Sequence, residues 1–257
     1  MAGPVLIMPA AGRGKRMGGE RNKPYLLLAG KPVLAHTLQV FVELGVFSRI
    51  IPVIAPGEEE YFKKWILLPF FSNINNIYPV FGGEERQSSV FNALEILHRE
   101  GISKDTIICI HDGVRPLVRG ELILNVLRET ADCGAAIAGV PVKDTVKIVD
   151  SEGAVQSTPP RERLILAQTP QCFRFSIIWE AHCLARDEGF WGSDDAVLVE
   201  RTGIPVRVVP GSYDNIKLTT PHDLKIAEML YSYFPGKRIE EDEDNLDFFL
   251  GRRVFGC

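Results

Sequence analysis

The amino-acid sequence predicts an α/β fold with a mostly parallel sheet, helices on both faces and a protruding β-hairpin arm. Three observations predict it. Short apolar runs alternate with helical patterns over most of the chain. Several of these runs are apolar throughout, as in strands that are covered on both faces. Glycine-rich turns follow the first and the third run.

The first half of the chain supplies strands and helices in strict alternation. The predicted elements are a strand at 5–8, a helix at 33–44 ended by Gly45, a strand at 50–55, a helix at 58–68 and a strand at 77–81. The next helix has one apolar face, because Val90, Ala93, Leu94 and Leu97 recur at helical spacing. Residues 106–110 are almost wholly apolar and predict a central strand.

The second half begins with a helix at 121–131 and a strand at 135–140, and the pattern then changes. Residues 141–163 predict an antiparallel hairpin, the arm, with an alternating strand at 142–149, a turn at 150–153 and a return strand at 154–157. The arm could pack on another subunit or be an ordinary surface hairpin. Further helices are predicted at 176–188, 194–201 and 222–233, and short strands at 206–209 and 215–218. We expect one domain over 1–236 and a C-terminal tail at 237–257.

Composition excludes several classes of protein. A hydrophobic content of 46% fits a sizeable core, and a net charge of −4 gives no support to a duplex nucleic-acid binder. A local cluster of Lys and Arg could still bind a small anion. The five cysteines are scattered without a CxxC pair, which favours reduced thiols and argues against a zinc site. No apolar stretch suits a membrane helix or signal peptide, so we expect a cytoplasmic protein without a membrane partner.

A glycine-rich, basic segment, PAAGRGKRMGG at 9–19, directly follows the first strand. Glycines let backbone N–H groups close around phosphate oxygens, and Lys15, Arg16 and Lys23 add positive charge. The dinucleotide-binding spacing GxGxxG is absent, and several cations suit a triphosphate better than a dinucleotide. The alternative is a solvated basic loop.

A second motif, GGEERQSSV at 82–90, joins a strand to the amphipathic helix. The glycine pair allows close approach of a flat ligand such as a base, and the helix start offers free N–H groups. Taken alone, the motif is better explained by Ser88 or Ser89 bonding to the backbone as a helix cap.

The third motif is HDGVRP at 111–116, at the end of the most apolar strand. Ligands of open α/β sheets bind outside the carboxyl ends of the strands, so Asp112 is placed to hold Mg²⁺ or substrate. We interpret His111 as a core histidine. Arg115 could pair with Asp112 or meet a substrate anion.

These motifs occur in order with four more: PVKDTVK at 141–147, TPQCF at 169–173, SDDA at 193–196 and DNIKLTTPHDL at 214–224. Read alone, SDDA is explained by a helix cap. Together the seven motifs resemble the 2-C-methyl-D-erythritol 4-phosphate cytidylyltransferase family of the non-mevalonate isoprenoid pathway. The resemblance covers about residues 5–228.

The resemblance implies a Rossmann-like nucleotidyltransferase sheet and a homodimer that exchanges the arm. It implies transfer of CMP from CTP to methylerythritol 4-phosphate, with Mg²⁺ or another divalent cation and release of pyrophosphate. Arg16 and Lys23 would stabilise the transition state, while Arg161 and Lys217 would position the substrate. The implied nucleotide contacts are Ala10, Ala11, Gly12, Gly14, Gly83, Ser89 and Asp112. The implied substrate contacts are Arg115, Thr145 and Thr169, and the implied metal ligand is Asp112.

Three positions depart from the family pattern. Pro24 follows Lys23 where the family usually has Gln, Pro160 precedes Arg161 where Asp is expected, and Glu84 stands where some members have Asp. The alternatives are a ribitol-5-phosphate cytidylyltransferase, another sugar-phosphate nucleotidyltransferase, or an inactive relative that binds nucleotide. The segments PAAG at 9–12, KDT at 143–145 and SDD at 193–195 favour the methylerythritol enzyme. The set of charged side chains argues against an inactive relative: Arg16, Lys23, Asp112 and Lys217.

Overall fold

The protein is described by a computed structural model that covers residues 3–12 and 22–233. The predicted tail at 237–257 and the basic residues 13–21 of the first loop lie outside this part of the chain. The strands are β1 (Val5–Pro9), β2 (Leu27–Leu28), β3 (Lys31–Pro32), β4 (Arg49–Ile54), β5 (Val80–Phe81), β6 (Ile107–Ile110), β7 (Ala135–Pro141), β8 (Ile148–Val149), β9 (Val155–Ser157), β10 (Ile165–Arg174) and β11 (Arg207–Pro210).

The main sheet of the described residues has seven strands in the order β11-β7-β10-β6-β1-β4-β5. Every neighbouring pair is parallel except those of β10, which runs antiparallel to both β6 and β7. The predicted mostly parallel α/β fold is therefore confirmed. The strand predicted to be central is confirmed too, because β6 is fourth of the seven.

Helices cover both faces of this sheet. They are α1 (Val33–Leu44), α2 (Glu59–Phe62), α3 (Leu68–Phe70), α4 (Arg86–Arg99), α5 (Gly120–Cys133), α6 (Phe175–Asp187), α7 (Asp195–Arg201) and α8 (Pro221–Tyr233). Alternate side chains of β1 enter opposite cores, with Leu6 and Met8 in the core of α1 and α5, and Val5 and Ile7 in the core of α4, α6 and α7. A strand that is buried on both faces needs a continuous apolar run, which is the pattern the sequence shows.

The predicted boundaries of most elements match the structure within two residues. The helix predicted at 58–68 is present, but α2 and α3 are joined by a π-helical turn at Lys63–Leu67. The strand predicted at 77–81 is shortened to β5, with one parallel bridge from Ile77 to Ile50. Gly45 ends α1 in the left-handed conformation with φ of 66°.

One prediction about the second half of the chain is wrong, and one strand is missed. The strand predicted at 215–218 is a loop, because the Asn215 N–H donates to the carbonyl oxygen of Ser212 at 3.1 Å and the Ile216 N–H to that of Asp214 at 2.8 Å, so neither joins a sheet. The antiparallel strand β10, ten residues long, was not predicted. Its register shifts between Ala167 and Gln171, where Pro170 interrupts the apolar pattern.

The arm is an antiparallel hairpin, as predicted, but shorter. β8 pairs with β9, and the Asp150 carboxylate accepts from the backbone N–H groups of Glu152 and Ala154 in the turn. The outgoing strand predicted at 142–149 is regular only in β8. Three apolar arm side chains are about half exposed: Ile148, Val149 and Val155. Within the described residues, no helix is long and apolar enough to cross a membrane.

Candidate active site

The candidate site lies at the carboxyl edge of β1 and β6. Because these neighbours are parallel, the segments that follow them emerge side by side. The Ala10 N–H donates to the carbonyl oxygen of Val53 at 2.8 Å, and the Gly113 N–H donates to that of Pro9 at 3.1 Å. These bonds fix Ala10, Ala11 and Gly12 beside Asp112, where parallel sheets bind ligands.

The Asp112 carboxylate is buried and receives three cationic side chains. Oδ1 accepts from Arg86 Nε at 3.0 Å, while Oδ2 lies 3.0 Å from Lys217 Nζ and 3.3 Å from Arg115 Nε. Burial alone would raise the pKa of Asp112. The charges of Arg86, Lys217 and Arg115 outweigh it and hold this pKa well below its usual range. Asp112 is therefore ionised.

A second buried carboxylate, Asp195, completes the Asp112 cluster, which we define as Asp112, Arg86, Arg115, Lys217 and Asp195. Arg86 Nη1 donates to Asp195 Oδ2 at 2.6 Å, so Arg86 joins the two carboxylates. Three cations and two carboxylates leave an excess of positive charge. Such an excess at a sheet edge attracts anionic ligands.

A polar layer beneath the cluster holds Asp112 in place. The Thr169 hydroxyl accepts from the Asp112 N–H at 3.1 Å and lies 3.1 Å from His111 Nδ1. Burial lowers the pKa of His111 to about 3, so its imidazole is neutral at physiological pH. The prediction of a core histidine is confirmed. Arg115 Nη1 also donates to the carbonyl oxygen of Asn215 at 2.7 Å, which connects the cluster to the loop of Lys217.

The glycine pair at the end of β5 packs against the first loop. A Cβ on Gly82 would lie 2.6 Å from both Ala11 Cβ and Ser89 Oγ, so only glycine fits there. Ser89 Oγ accepts from the Gly83 N–H at 3.2 Å and donates to the Glu85 carbonyl oxygen at 3.0 Å. The helix-cap interpretation of the serines is therefore confirmed. Their contact with a base stays a prediction.

Lys23 extends toward the carboxyl edge of the sheet, where it contacts the loop that carries Lys217. It begins a short 3-10 helix, Lys23–Tyr25, and its Nζ donates to the carbonyl oxygen of Thr219 at 2.6 Å. Thr219 is two residues from Lys217, and its N–H and hydroxyl both bond to the Asp223 carboxylate at 2.8 Å. The structure thus brings Lys23 to the Lys217 loop. Gly14 and Arg16 lie outside the described residues.

The two predicted arm residues are separate from the cluster. Arg161 and Thr145 are exposed, and none of the hydrogen bonds between described residues links either of them to Asp112. Arg161 Nη1 donates to the carbonyl oxygen of Lys143 at 2.8 Å. The base of the arm is held by Tyr213, whose hydroxyl donates to the Pro141 carbonyl oxygen at 2.7 Å.

Sequence reasoning assigned no role to Arg86, Asp195 or Gln171. The sequence does carry one signal for Arg86. It is the first residue of α4, where a positive charge is unfavourable because of the helix dipole, so a cation at this position indicates an interaction outside the helix. Gln171 Oε1 accepts from the N–H groups of Asp195 and Ala196 at 3.2 and 3.1 Å, which fixes the start of α7 against β10. The Asp194 cap predicted for α7 is confirmed by its bond from the Val197 N–H.

The site does not fit a magnesium ion held by protein ligands alone. The described residues contain no cluster of three or more metal-ligating His, Cys, Asp or Glu side chains. Asp112, the predicted ligand, already receives Arg86, Arg115 and Lys217, which would repel a dication.

Fold and site together define an α/β protein with an excess of positive charge at the carboxyl edge of its sheet, the edge at which such folds bind ligands. A family model described as 2-C-methyl-D-erythritol 4-phosphate cytidylyltransferase matches residues 5–232. The chain belongs to this family of nucleotidyltransferases.

Individual relatives and solved structures support the same family membership. The chain is 50% identical to the 2-C-methyl-D-erythritol 4-phosphate cytidylyltransferase of Geotalea uraniireducens, over 86% of this chain and 94% of that relative. It is 45% identical to the enzyme of that name from Pelotomaculum thermopropionicum, over 91% and 96%. The crystal structure of the Thermus thermophilus enzyme superposes with a TM-score of 0.71 at 34% identity, covering 90% of this chain and 100% of that one. A synthase from Anaerococcus prevotii gives a TM-score of 0.77 at 29% identity, covering 90% and 99%.

Proposed function

We propose that this chain transfers CMP from CTP to 2-C-methyl-D-erythritol 4-phosphate, giving 4-diphosphocytidyl-2-C-methyl-D-erythritol and pyrophosphate for isoprenoid precursor synthesis. Membership of the cytidylyltransferase family supports the reaction and both substrates. The single observation that carries the proposal is the Asp112 cluster. Its excess positive charge lies where two phosphorylated molecules would have to meet.

The proposed reaction is one in-line displacement. A phosphate oxygen of methylerythritol 4-phosphate forms a bond to the α-phosphorus of CTP, while the bond from that phosphorus to the bridging oxygen of pyrophosphate breaks. The reactants repel each other, and charge builds on the α-phosphoryl oxygens. Prearranged cations reduce the repulsion between the reactants and stabilise the charge that builds in the transition state. We therefore assign transition-state stabilisation to Arg16 and Lys23, and binding of the acceptor phosphate to Lys217.

The nucleotide site is proposed along the two glycine-containing loops. The loop at Ala10, Ala11, Gly12 and Gly14 meets the triphosphate, with the backbone N–H groups that follow Ala10 as donors, because the Ala10 N–H is bonded to Val53. The turn at Gly83 and Ser89 meets the cytosine. The tight packing of Gly82 on Ala11 supports this, because it places the two loops side by side. Gly12 is exposed, and a Cβ placed on it would meet no atom of the described residues within 4 Å.

The acceptor site is proposed between Lys217 and the arm of a second subunit. Arg161 and Thr145 contact methylerythritol 4-phosphate from that arm. Arg115 and Thr169 complete the site from below, and their bonds to Asp112 support a location at its floor. In this proposal Asp112 orients Lys217, and its carboxylate contacts the substrates only at the edge of the acceptor site.

A homodimer with exchanged arms is part of the proposal. Exposed apolar side chains on the arm and at the start of β10 support it, since such a surface is stabilised by a covering partner. These side chains are Ile148, Val149, Val155, Ile165 and Leu166, between 42% and 59% exposed.

We propose Mg²⁺ as part of the substrate, bound to the phosphates of CTP, since Asp112 is already engaged by cations. We also propose a cytoplasmic location. The four cysteines of the described residues are free thiols, which suits a reducing compartment.

The experiment that tests the function is pyrophosphate release by the purified chain with CTP, Mg²⁺ and methylerythritol 4-phosphate. Ribitol 5-phosphate and a hexose 1-phosphate serve as rival acceptors, and UTP, GTP and dTTP as rival donors. Faster turnover with a rival substrate, or tight CTP binding without turnover on any acceptor, contradicts the proposal.

A further inference from the structure

Asp195 lies at the start of α7 with both carboxylate oxygens occupied. Oδ2 accepts from Arg86 Nη1 at 2.6 Å, and Oδ1 lies 3.2 Å from His182 Nε2. The Asp195 N–H donates to Gln171 Oε1 at 3.2 Å. These contacts fix both the position and the plane of the carboxylate.

The charge state of Asp195 determines what His182 does. Burial would raise the pKa of Asp195, but Arg86 and then His182 lower it, so the group is a carboxylate that only accepts hydrogen bonds. His182 Nε2 must therefore donate. The imidazole is 1% exposed, and its Nδ1 has no hydrogen-bond partner among the described residues. Within that part of the chain, the hydrogen bond of His182 goes to Asp195.

Arg86 is divided between two carboxylates instead of being paired with one. Its Nε donates to Asp112, its Nη1 donates to Asp195, and its buried Nη2 has no partner among the described residues. A guanidinium beside a single carboxylate commonly makes two parallel bonds. Asp195 therefore holds Arg86 away from a bidentate pair with Asp112, which leaves Asp112 Oδ2 to Lys217 and Arg115.

We propose that Asp195 and His182 are positioning residues for the acceptor site. By holding Arg86, they keep Asp112 Oδ2 available to Lys217. The inference rests on the proposed function through the role assigned there to Lys217. Neither Asp195 nor His182 bonds to Lys217 itself, and both are 1% exposed, so they act through Arg86.

The test replaces the donor to Asp195. We expect His182→Ala to lower kcat/KM for methylerythritol 4-phosphate about tenfold, the effect of one lost hydrogen bond to a charged group, and to change KM for CTP less than about twofold. His182→Gln places an amide N–H near the position of Nε2 and restores most of the loss. Asp195→Asn removes the negative charge at nearly constant side-chain shape, and we expect it too to lower kcat/KM for methylerythritol 4-phosphate.

The matched control is Ile178→Ala. Ile178 lies one turn earlier on α6, is fully buried and packs in an apolar core, so its truncation leaves a cavity under the same helix without touching the polar chain. We expect its acceptor kcat/KM to stay within about twofold of wild type in the folded protein.

A second readout does not depend on activity. In a ¹H–¹⁵N spectrum, the Arg86 Nε–H signal is assigned by its loss in Arg86→Lys. We expect it to shift in His182→Ala, to return in His182→Gln and to stay in place in Ile178→Ala. If the wild-type protein shows no turnover, the proposed function is rejected. The Arg86 Nε–H signal then still tests whether His182 and Asp195 position Arg86. An unmoved Arg86 signal in His182→Ala, equal losses in His182→Ala and Ile178→Ala, or no rescue by Gln overturns the inference.

Discussion

The Asp112 carboxylate is buried yet ionised, because three cations surround it. Removing one partner of a buried ion pair leaves an uncompensated charge and is strongly destabilising, typically by about 3–5 kcal/mol. Asp112 is thus a hub that fixes the direction of Lys217. Its ionisation serves geometry, because a neutral acid would hold neither Arg86 nor Lys217 in place.

Lys23 is the described cation that the proposed mechanism assigns to the transition state. We expect Lys23→Ala to lower kcat about 10²-fold or more, as loss of one electrostatic donor typically does. The control is Lys104→Ala, since Lys104 is exposed and precedes β6 at the opposite edge of the sheet. Steady-state pyrophosphate release measures both. Turnover of Lys23→Ala within about threefold of wild type would reject the role.

His111 predicts acid sensitivity of the fold. Burial lowers its pKa to about 3 in the folded protein, against about 6.5 in an unfolded chain. The neutral ring is therefore favoured by folding, so its stabilisation is complete above about pH 6.5 and is lost as pH falls toward 3, by up to about 1.4 kcal/mol per pH unit.

Urea unfolding of wild type and His111→Gln between pH 4.5 and 7.5 measures this effect. Glutamine keeps polar atoms for Thr169 and does not titrate. We expect the wild-type free energy of unfolding to fall below about pH 6.5 more steeply than that of the variant. Asp112 and Asp195 have pKa values lowered from the ordinary 3.8, so the stability that they contribute is lost as pH falls from about 3.8 downward, below the measured pH range. Parallel curves would contradict the prediction.

At the scale of elements, strands buried on both faces were predictable because their apolar runs are continuous. β10 was not, since its first three residues are exposed, Pro170 interrupts it and it follows the arm instead of a helix. Asp112 and Lys217 were predicted from motifs. The bonds from Arg86 to Asp112 and Asp195 span 26 and 109 residues, and only the fold brings these groups together.

The contact between the first loop and the start of α4 depends on Gly82. Its replacement by alanine would push a methyl group against Ala11 and Ser89 at 2.6 Å. We expect Gly82→Ala to lower the free energy of unfolding by about 1–3 kcal/mol, as overpacking does, and to weaken CTP binding.

Gly12→Ala is the matched stability control, because a Cβ at Gly12 would meet none of the described residues within 4 Å. We expect its unfolding free energy to stay within about 0.5 kcal/mol of wild type. Urea unfolding and CTP titration calorimetry measure the pair. Equal stability of Gly82→Ala and Gly12→Ala would show that the two loops are not packed as described.

At the scale of the molecule, the proposed site is divided between chains. Lys23 and Lys217 belong to one chain, since Lys23 Nζ bonds to the carbonyl of Thr219. Arg161 lies on the arm, which exposes apolar side chains and extends from the base held by Tyr213. If arms are exchanged, Arg161 serves the partner's Lys217.

Mixing inactive variants tests this arrangement. Arg161→Ala and Lys217→Ala chains, unfolded together in equal amounts and refolded, form hybrids in half of the dimers, and each hybrid has one site with both residues intact. We expect pyrophosphate release to recover to about a quarter of the wild-type rate. In the control mixture of Lys23→Ala with Lys217→Ala, both sites of every hybrid stay defective, because these residues share one chain's site, so no recovery is expected. Each variant is first shown to be inactive alone, since an active Arg161→Ala would show that Arg161 has no role. Recovery in neither mixture, with dimers present by sedimentation, would then show that Arg161 acts within its own chain.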